Sequence, residues 1–157
     1  MAVATSTAVK VSANRLQRTV IHQPAAAATA QLVDLGQPQG ASLKMLPIKN
    51  YRTFSAQATG SLLVGAGPTA FSIYAGTDAA GTGGVPVVTH AVGSAPDAEG
   101  DSLFLECNAE QIRESLSTAT HVGVWIDCAN DADEAAVVFT CEDPVYAYGG
   151  LTADYVA

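Results

Sequence analysis

Short segments in which apolar and polar residues alternate dominate the chain from residue 51 onward. In AFSIYAG (70–76), Phe71, Ile73 and Ala75 share one face, which is the two-residue period of a strand with one buried side. Glycine-rich stretches such as 77–84 separate the segments and are typical of loops. The strands predicted in this way are 53–60, 61–64, 70–76, 85–92, 102–107, 122–128 and 135–141, with 145–148 as a further candidate. The pattern predicts an all-β body, either a β-sandwich or a barrel-like or jelly-roll arrangement.

One segment has the signals of a helix instead. Asn108 is a favourable N-cap, and Gln111 stands three residues later, where its side chain completes a capping box. Ile112 and Leu116 are four residues apart and therefore share one helical face. These signals predict one short α-helix near 109–117, which closes an end of the β body without forming a layer of its own.

The first 50 residues have a different texture. Their apolar residues occur in short groups, three prolines interrupt any long helix, and neither a helical nor a strand period persists. Val9 and Val11 alternate with polar residues, so this stretch can add as a strand to a neighbouring sheet. We therefore predict an extended N-terminal arm over 1–50, with one or two short strands, and a β-rich domain over 51–157.

Charge divides the chain in the same way. The 157 residues carry a net charge of −8, but residues 1–52 contain six of the seven Lys and Arg residues and only one acid. That part therefore carries +5 and residues 53–157 carry −13. Because nucleic-acid binding requires Lys and Arg to neutralise phosphates, the acidic body predicts no nucleic-acid partner. Charged residues are only 14% of the chain, so its surface consists largely of small and uncharged polar residues.

The segment DCANDADE (127–134) is the most chemically suggestive stretch. An EF-hand loop requires oxygen ligands at positions 1, 3 and 5 and glycine at position 6, and neither Asp127 nor Asp131 as the first ligand meets this spacing. The segment lies between the two strongest predicted strands, so we interpret it as a solvated hairpin loop. A looser calcium site formed by Asp131, Asp133 and Glu134 remains the alternative.

Catalytic motifs are absent from the sequence. It contains no GxSxG, no HExxH and no phosphate-binding glycine loop. An odd number of cysteines without CxxC spacing predicts free buried thiols, and the histidines are interpreted as partly buried structural residues. Trp125, in the apolar strand VGVWI, is predicted to lie in the core. We therefore expect no enzymatic activity, no cofactor, no metal and no small-molecule substrate. The expected free thiols are Cys107, Cys128 and Cys141, and the expected structural histidines are His22, His90 and His121.

Over its whole length, the chain resembles the capsid decoration, or cement, proteins of tailed bacteriophages. The resemblance rests on organisation: the segment MAVATSTAVKVSANRLQ as an arm, the β-rich part 51–148, and the weakly charged surface. It implies a structural virion protein that binds the outside of a phage capsid and stabilises the shell. The implied partners are the major capsid protein and copies of itself, as a homodimer or homotrimer, on the capsid surface after synthesis in the host cytoplasm.

The arm is the expected binding element. Deleting residues 1–22 is expected to leave the β body folded and to abolish shell binding. No secretion signal or membrane-spanning segment is visible, so no membrane partner is expected. The alternatives are another virion part, such as a tail or head-completion protein, and a small carbohydrate- or calcium-binding β-sandwich module. The residues expected to carry the contact are Arg15, Leu16, Arg18, Val20 and Ile21.

Overall fold

The protein folds as an all-β sandwich of two antiparallel sheets with one short helix. This computed structural model describes residues 15–23, 31–35, 44–62, 68–91, 99–128 and 130–144. The predicted fold class is confirmed. The described strands are β1 (Leu16–His22), β2 (Gln31–Leu32), β3 (Leu46–Pro47), β4 (Tyr51–Leu62), β5 (Pro68–Gly76), β6 (Val85–Ala91), β7 (Ser102–Asn108), β8 (His121–Cys128) and β9 (Glu134–Pro144).

The strand order is that of a jelly roll. Sheet A has the order β1-β9-β4-β7, and sheet B has the order β2-β8-β5-β6, with β3 also paired to β8. Leu32 faces Trp125 and Leu46 faces Val122, so β2 and β3 are two parts of one interrupted edge strand beside β8. When they are counted as one, every connection except β5–β6 crosses from one sheet to the other, as in a double Greek key.

The core lies between the two sheets because the inward residues of each strand are apolar. On β4 these residues are Phe54, Ala56 and Ala58, and all three are fully buried. The Phe54 ring stacks on Phe139 of β9 with 6.4 Å between ring centroids. Burying a side chain of this size contributes about 1.5–3 kcal/mol relative to leaving it exposed, so the alternation in the sequence is also the main source of cohesion between the sheets.

The predicted helix is confirmed as α1 (Ala109–Ser115). The Asn108 side chain accepts hydrogen bonds from the backbone N–H groups of Glu110 and Gln111, each at 2.9 Å. The Gln111 side chain accepts one from the Asn108 N–H at 2.9 Å, which completes the capping box. Ile112 is fully buried and attaches the helix to the end of the sandwich. The described part of the chain contains no helix long and apolar enough to cross a membrane.

Two strand predictions need correction. The segments 53–60 and 61–64 were expected as separate strands, but β4 continues from Tyr51 to Leu62. The register with β9 shifts between Gly60 and Leu62, so the glycine marks an irregularity within the strand instead of a break. The candidate strand 145–148 lies outside the described residues.

The described residues of the predicted arm are part of the sandwich. β1 pairs with β9 over its whole length as an edge of sheet A. Val20, Val33, Leu35, Leu46 and Ile48 belong to the same hydrophobic core as the later strands. The structure therefore shows no boundary at residue 50 within these segments, in contrast to the separate arm expected from the sequence. The short alternating stretch around Val9 and Val11 lies outside the described residues.

The DCANDADE segment is not a hairpin loop. β8 belongs to sheet B and β9 to sheet A, so the segment carries the chain from one sheet to the other. Asp133 is fully buried, and its carboxylate accepts a hydrogen bond from the Asn130 N–H at 3.1 Å. The Asn130 side chain accepts one from the Ala132 N–H at 2.9 Å. These side-chain-to-backbone bonds are turn chemistry, and the expectation of a wholly solvated loop was wrong.

Candidate binding surface

The outer face of sheet B is covered by the chain itself. Met45 is buried, and a Cβ atom added at Gly123 would lie 3.0 Å from its Cγ, so the glycine leaves room for the methionine. Tyr74 and Trp125 pack against each other with 5.0 Å between ring centroids. Trp125 is therefore half-buried on the outside of sheet B and not in the central core, which corrects the prediction. This face is therefore partly covered by Met45 and by the packed rings of Tyr74 and Trp125, whereas Pro86 and Thr89 on β6 are exposed.

The outer face of sheet A is open by comparison. Each of its four strands contributes three outward residues to the central rows, and we call these twelve positions the neutral face. Across the strands, Thr19 faces Val138, Val138 faces Gln57, and Gln57 faces Phe104. The neutral face consists of Gln17, Thr19, Ile21, Ser55, Gln57, Thr59, Ser102, Phe104, Glu106, Ala136, Val138 and Thr140. Glu106 is its one charged residue, although the chain contains 15 acids.

Two large apolar side chains stand at opposite edges of the neutral face. Ile21 on β1 is 57% exposed, and Phe104 on β7 is 62% exposed. Between them, the Thr59 and Ser102 hydroxyls are 2.7 Å apart, and the Gln57 side chain donates to Ser102 at 3.3 Å. Covering this surface desolvates one carboxylate, and some of the polar groups already have partners. Aromatic anchors in a weakly charged surround are typical of protein interfaces.

Charge is distributed unevenly between the two ends of the sandwich. Four of the described cations lie at the end where β1 and β4 begin and where α1 packs: Arg15, Lys49, Arg52 and Arg113. The opposite end, where β8 ends and β7 and β9 begin, is rich in acidic residues among those that the structure describes. Its acids are Glu99, Asp101, Asp127, Asp131, Asp133 and Glu134. The long axis of the sandwich thus runs from a mixed-charge end to an acidic end.

The five residues expected to bind a partner occupy different environments. Val20 is buried in the core, and Leu16 packs against it from the same side of β1. Arg18 is half-buried on that inner side, where its guanidinium approaches the Gln17 carbonyl at 3.4 Å. Arg15 is exposed and lies 3.7 Å from Glu142. Of the five, Arg15 and Ile21 present their side chains mainly to solvent, and Ile21 belongs to the neutral face.

Phe104 was missed by the sequence analysis, although its signal was present. In SLFLECN (102–108), Leu103, Leu105 and Cys107 alternate on the inward side, so Phe104 must point outward. A large aromatic residue on the polar side of an alternating strand is the signature of an exposed apolar side chain.

A cleft lies beside the start of α1. This cleft of about 520 Å³ is lined by Tyr51, Arg52, Asn108, Arg113 and Asp143, among others. Burial raises the pKa of the Tyr51 phenol above its usual 10.0. The cleft brings cationic and anionic side chains together without a nucleophile paired to a base, so we assign it no chemistry.

The acidic connection between β8 and β9 does not assemble a metal site. Among the residues that the structure describes, no group of three or more His, Cys, Asp or Glu side chains is placed to hold a metal ion. Asp133, one of the three proposed calcium ligands, is turned inward and bonded to the loop backbone. The calcium alternative therefore gains no support from this part of the chain.

The three thiols are free and buried, as the sequence predicted. Burial and the nearby Glu106 raise the pKa of Cys107 to about 12. Burial, helped by Asp133 and Asp127, raises the pKa of Cys128 to about 11. Burial also raises the pKa of Cys141 to about 12, although Arg18 opposes the shift. Because the thiolate is the reactive form, these cysteines are poor nucleophiles at neutral pH.

Comparison with known proteins finds no matching family model and no matching curated protein. One similar solved structure is that of infectious bursal disease virus, Gx strain, at 12% identity and a TM-score of 0.38, over 80% of this chain and 31% of that chain. This chain thus spans less than a third of the length of that viral chain.

Two further solved structures have similar TM-scores. The K1 cleaved adhesin domain of Lys-gingipain from Porphyromonas gingivalis W83 is 10% identical, with a TM-score of 0.40, over 83% of this chain and 92% of that one. PirA is 11% identical, with a TM-score of 0.32, over 83% of this chain and 94% of that one. Structural similarity at this level gives no information about function.

Proposed function

We propose that this protein is a capsid decoration protein that binds the outside of a bacteriophage shell through the neutral face and stabilises it. The observation that supports this most is the contrast between the two sheets. The outer face of sheet B is partly covered by Met45, whereas sheet A presents Ile21 and Phe104 on a face with a single charged residue. A partner can cover such a surface at low desolvation cost. On a strongly acidic protein, this is the face where contact is least opposed by charge.

The size of the neutral face suits a protein that acts in many copies. Strands about 4.8 Å apart, with a rise of about 3.4 Å per residue, give a face of roughly 400 Å². A standard stable interface buries about 800 Å² per partner, so a single neutral face makes a weak contact. On a shell lattice, weak contacts of linked copies add up to high avidity, which is how a decoration protein can hold neighbouring shell subunits together.

The predicted arm keeps a role in the proposal. β1 lies at an edge of the neutral face, and residues 1–14 precede it in the sequence. We infer that these residues contribute to the contact, because Lys10 and Arg15 give this part of the sequence a positive charge that suits an acidic strip on the shell.

The test is co-sedimentation of the purified protein with empty shells assembled from the major capsid protein of the same genome. Phe104→Ser and Ile21→Ser remove the two anchors, and Leu62→Ser, a 42% exposed leucine outside the neutral face, is the matched control. We expect wild type and Leu62→Ser to bind at a fixed number of copies per shell subunit. Phe104→Ser should bind at least tenfold more weakly, as for an interface hot spot.

Two outcomes would contradict the proposal. If the protein stays in the supernatant at all concentrations, the shell is not its partner. If Phe104→Ser and Ile21→Ser bind as tightly as wild type, the neutral face is not the binding surface. Saturation at only a few copies per particle would favour the tail or head-completion alternative.

A further inference from the structure

We propose that two copies of this chain pair along β1, antiparallel about a two-fold axis at Thr19, so that two A sheets join into one sheet of eight strands. The pairing itself does not depend on shell binding. Only the match between the area of two neutral faces and the area of an interface with the shell rests on the proposed function.

The four sheet edges differ in their capacity to pair with another strand. The β2/β3 edge is interrupted and contains Pro47, and β6 contains Pro86 and a register shift against β5. β7 runs directly into α1 and carries Glu106. β1 has seven residues without proline or an acid, and no strand of the described chain pairs with its outer side. Proline residues, interruptions of the strand and charged side chains usually prevent an edge strand from pairing with another chain. On β1, the only such feature is the charge of Arg18.

Pairing centred on Thr19 gives favourable neighbours. It places Thr19 opposite the partner's Thr19, and Gln17 opposite the partner's Ile21. On the inner side, Arg18 lies opposite the partner's Val20, so the two arginines do not oppose each other directly. Cross-strand Thr–Thr pairs are stabilising, whereas like charges directly opposite are destabilising. The exposed Ile21 gains cover from the partner's Gln17.

Charge complementarity favours a second copy as the occupant. The same register places Arg15 opposite the partner's Gln23. In each copy, the Gln23 side chain donates to the Asp131 carbonyl at 3.4 Å, so the acidic loop lies beside the end of β1. Antiparallel pairing therefore brings Arg15 of each copy, which also lies 3.7 Å from Glu142 of its own chain, towards the partner's Asp131, and symmetry makes this contact twice. Although both copies are acidic, Arg15 of one copy therefore lies towards the acidic loop around Asp131 of the other.

The joined sheet also has the area that a single face lacks. Two neutral faces side by side give roughly 800 Å², which matches the standard interface size per partner. The dimer would therefore present one continuous eight-stranded surface to the shell, with Ile21 of both copies near its centre and Phe104 of both copies at its outer edges.

The first test is a cysteine cross-link made with the isolated protein in the absence of shells. Thr19→Cys places thiols opposite each other across the proposed axis, and Ser102→Cys places one at the opposite edge of sheet A as the matched control. The native thiols, with pKa values raised to about 11 or 12, contribute little background. We expect Thr19→Cys to form a disulfide-linked dimer under mild oxidation and Ser102→Cys to remain monomeric. Cross-linking by Ser102→Cys alone, or by neither variant, would overturn the assignment.

The second test uses sedimentation equilibrium and does not depend on an introduced cysteine. Wild type should dimerise reversibly, and Arg15→Glu should weaken the dimer at least fivefold. The double variant Arg15→Glu/Asp131→Arg should restore the affinity, and Arg52→Glu, which removes an exposed cation away from β1, should leave it unchanged. A wild-type monomer at all concentrations, or equal weakening by Arg15→Glu and Arg52→Glu, would contradict the pairing. Neither result bears on shell binding, which the Phe104→Ser experiment tests separately.

Discussion

Asn108 is the residue for which sequence and structure agree most closely. Its side chain accepts two backbone hydrogen bonds at the start of α1, and Gln111 returns one. Because an N-cap side chain replaced by alanine leaves these N–H groups without a partner, Asn108→Ala should destabilise the protein by about 1 kcal/mol. Urea unfolding measures this change, and Ser117→Ala, an exposed position just beyond the helix, is the control. Equal midpoints for both variants would show that the cap contributes nothing.

His22 links stability to pH. Burial, and secondarily the charge of Lys44, lowers the pKa of this imidazole below its ordinary value of 6.5. The unfolded chain therefore binds a proton more readily than the folded protein, so stability falls as the pH drops below about 6.5. We expect the melting temperature to decrease between pH 7.5 and pH 5.5, and His22→Gln to flatten this decrease.

The control for His22 is His121, a half-buried histidine on β8 whose ring nitrogen lies 2.8 Å from the Thr120 hydroxyl. His121→Gln should retain more of the wild-type pH dependence than His22→Gln does. If both variants keep the full dependence, other groups cause the loss of stability in acid, and the assignment to His22 is wrong.

Residue-level errors of the sequence analysis have a common cause. Val20 and Ile21 are neighbours in the sequence, but one is in the core and the other is 57% exposed. Alternation assigns them to opposite faces, yet it cannot say which face is buried before the partner sheet is known. Trp125 was misplaced for the same reason, because strand β8 is apolar on both sides and both of its faces are covered.

Among the secondary-structure elements, the position of β1 in sheet A changes the expected effect of N-terminal truncation on stability. Removing residues 1–14 leaves all of β1, whereas removing residues 1–22 deletes the strand that pairs with β9 and contributes Val20 to the core. We therefore expect the shorter truncation to retain a cooperative thermal transition near that of wild type. The longer one should be strongly destabilised or aggregate, since it exposes β9 as a new apolar edge.

Circular dichroism melts of the two truncated proteins measure this difference. The original expectation, a folded body after deletion of 1–22, would be restored if both truncations melted like wild type. An unfolded product after removal of only 1–14 would mean that these residues contribute to the fold itself.

Strands of five or more residues with their own apolar pattern were predictable from residue 51 onward, and the two-residue strands β2 and β3 were not. β5, β7 and α1 were located within two residues or so because each carries its own pattern and its own end signals. β2 and β3 have two residues each and are ordered by β8, some 75 to 95 positions later in the chain. A short segment whose structure depends on so distant a partner has no local signal to read.

In the whole molecule, the charge difference between the two parts of the sequence corresponds only partly to a charge difference between the two ends of the sandwich. Arg15, Lys49, Arg52 and Arg113 lie near one end of the sandwich, and the described residues of the opposite end are mainly acidic. The neutral face lies between these ends, and it could not be recognised from composition because its residues come from four strands distributed along the chain. Only the pairing register brings them together.

The jelly-roll fold by itself does not identify a function, because unrelated functions use the same fold. What distinguishes this molecule is the open outer face of sheet A, with Ile21 and Phe104 at its edges. We therefore propose that this surface, and not the outer face of sheet B, contacts the shell.

A cryo-electron microscopy reconstruction of shells saturated with the protein tests that claim most directly. We expect the outer face of sheet A to lie against the shell, with Phe104 and Ile21 buried and Tyr74 and Trp125 on the side facing solvent. A reconstruction in which sheet B contacts the shell, or in which the neutral face points into solvent, would show that the neutral face is not the binding surface.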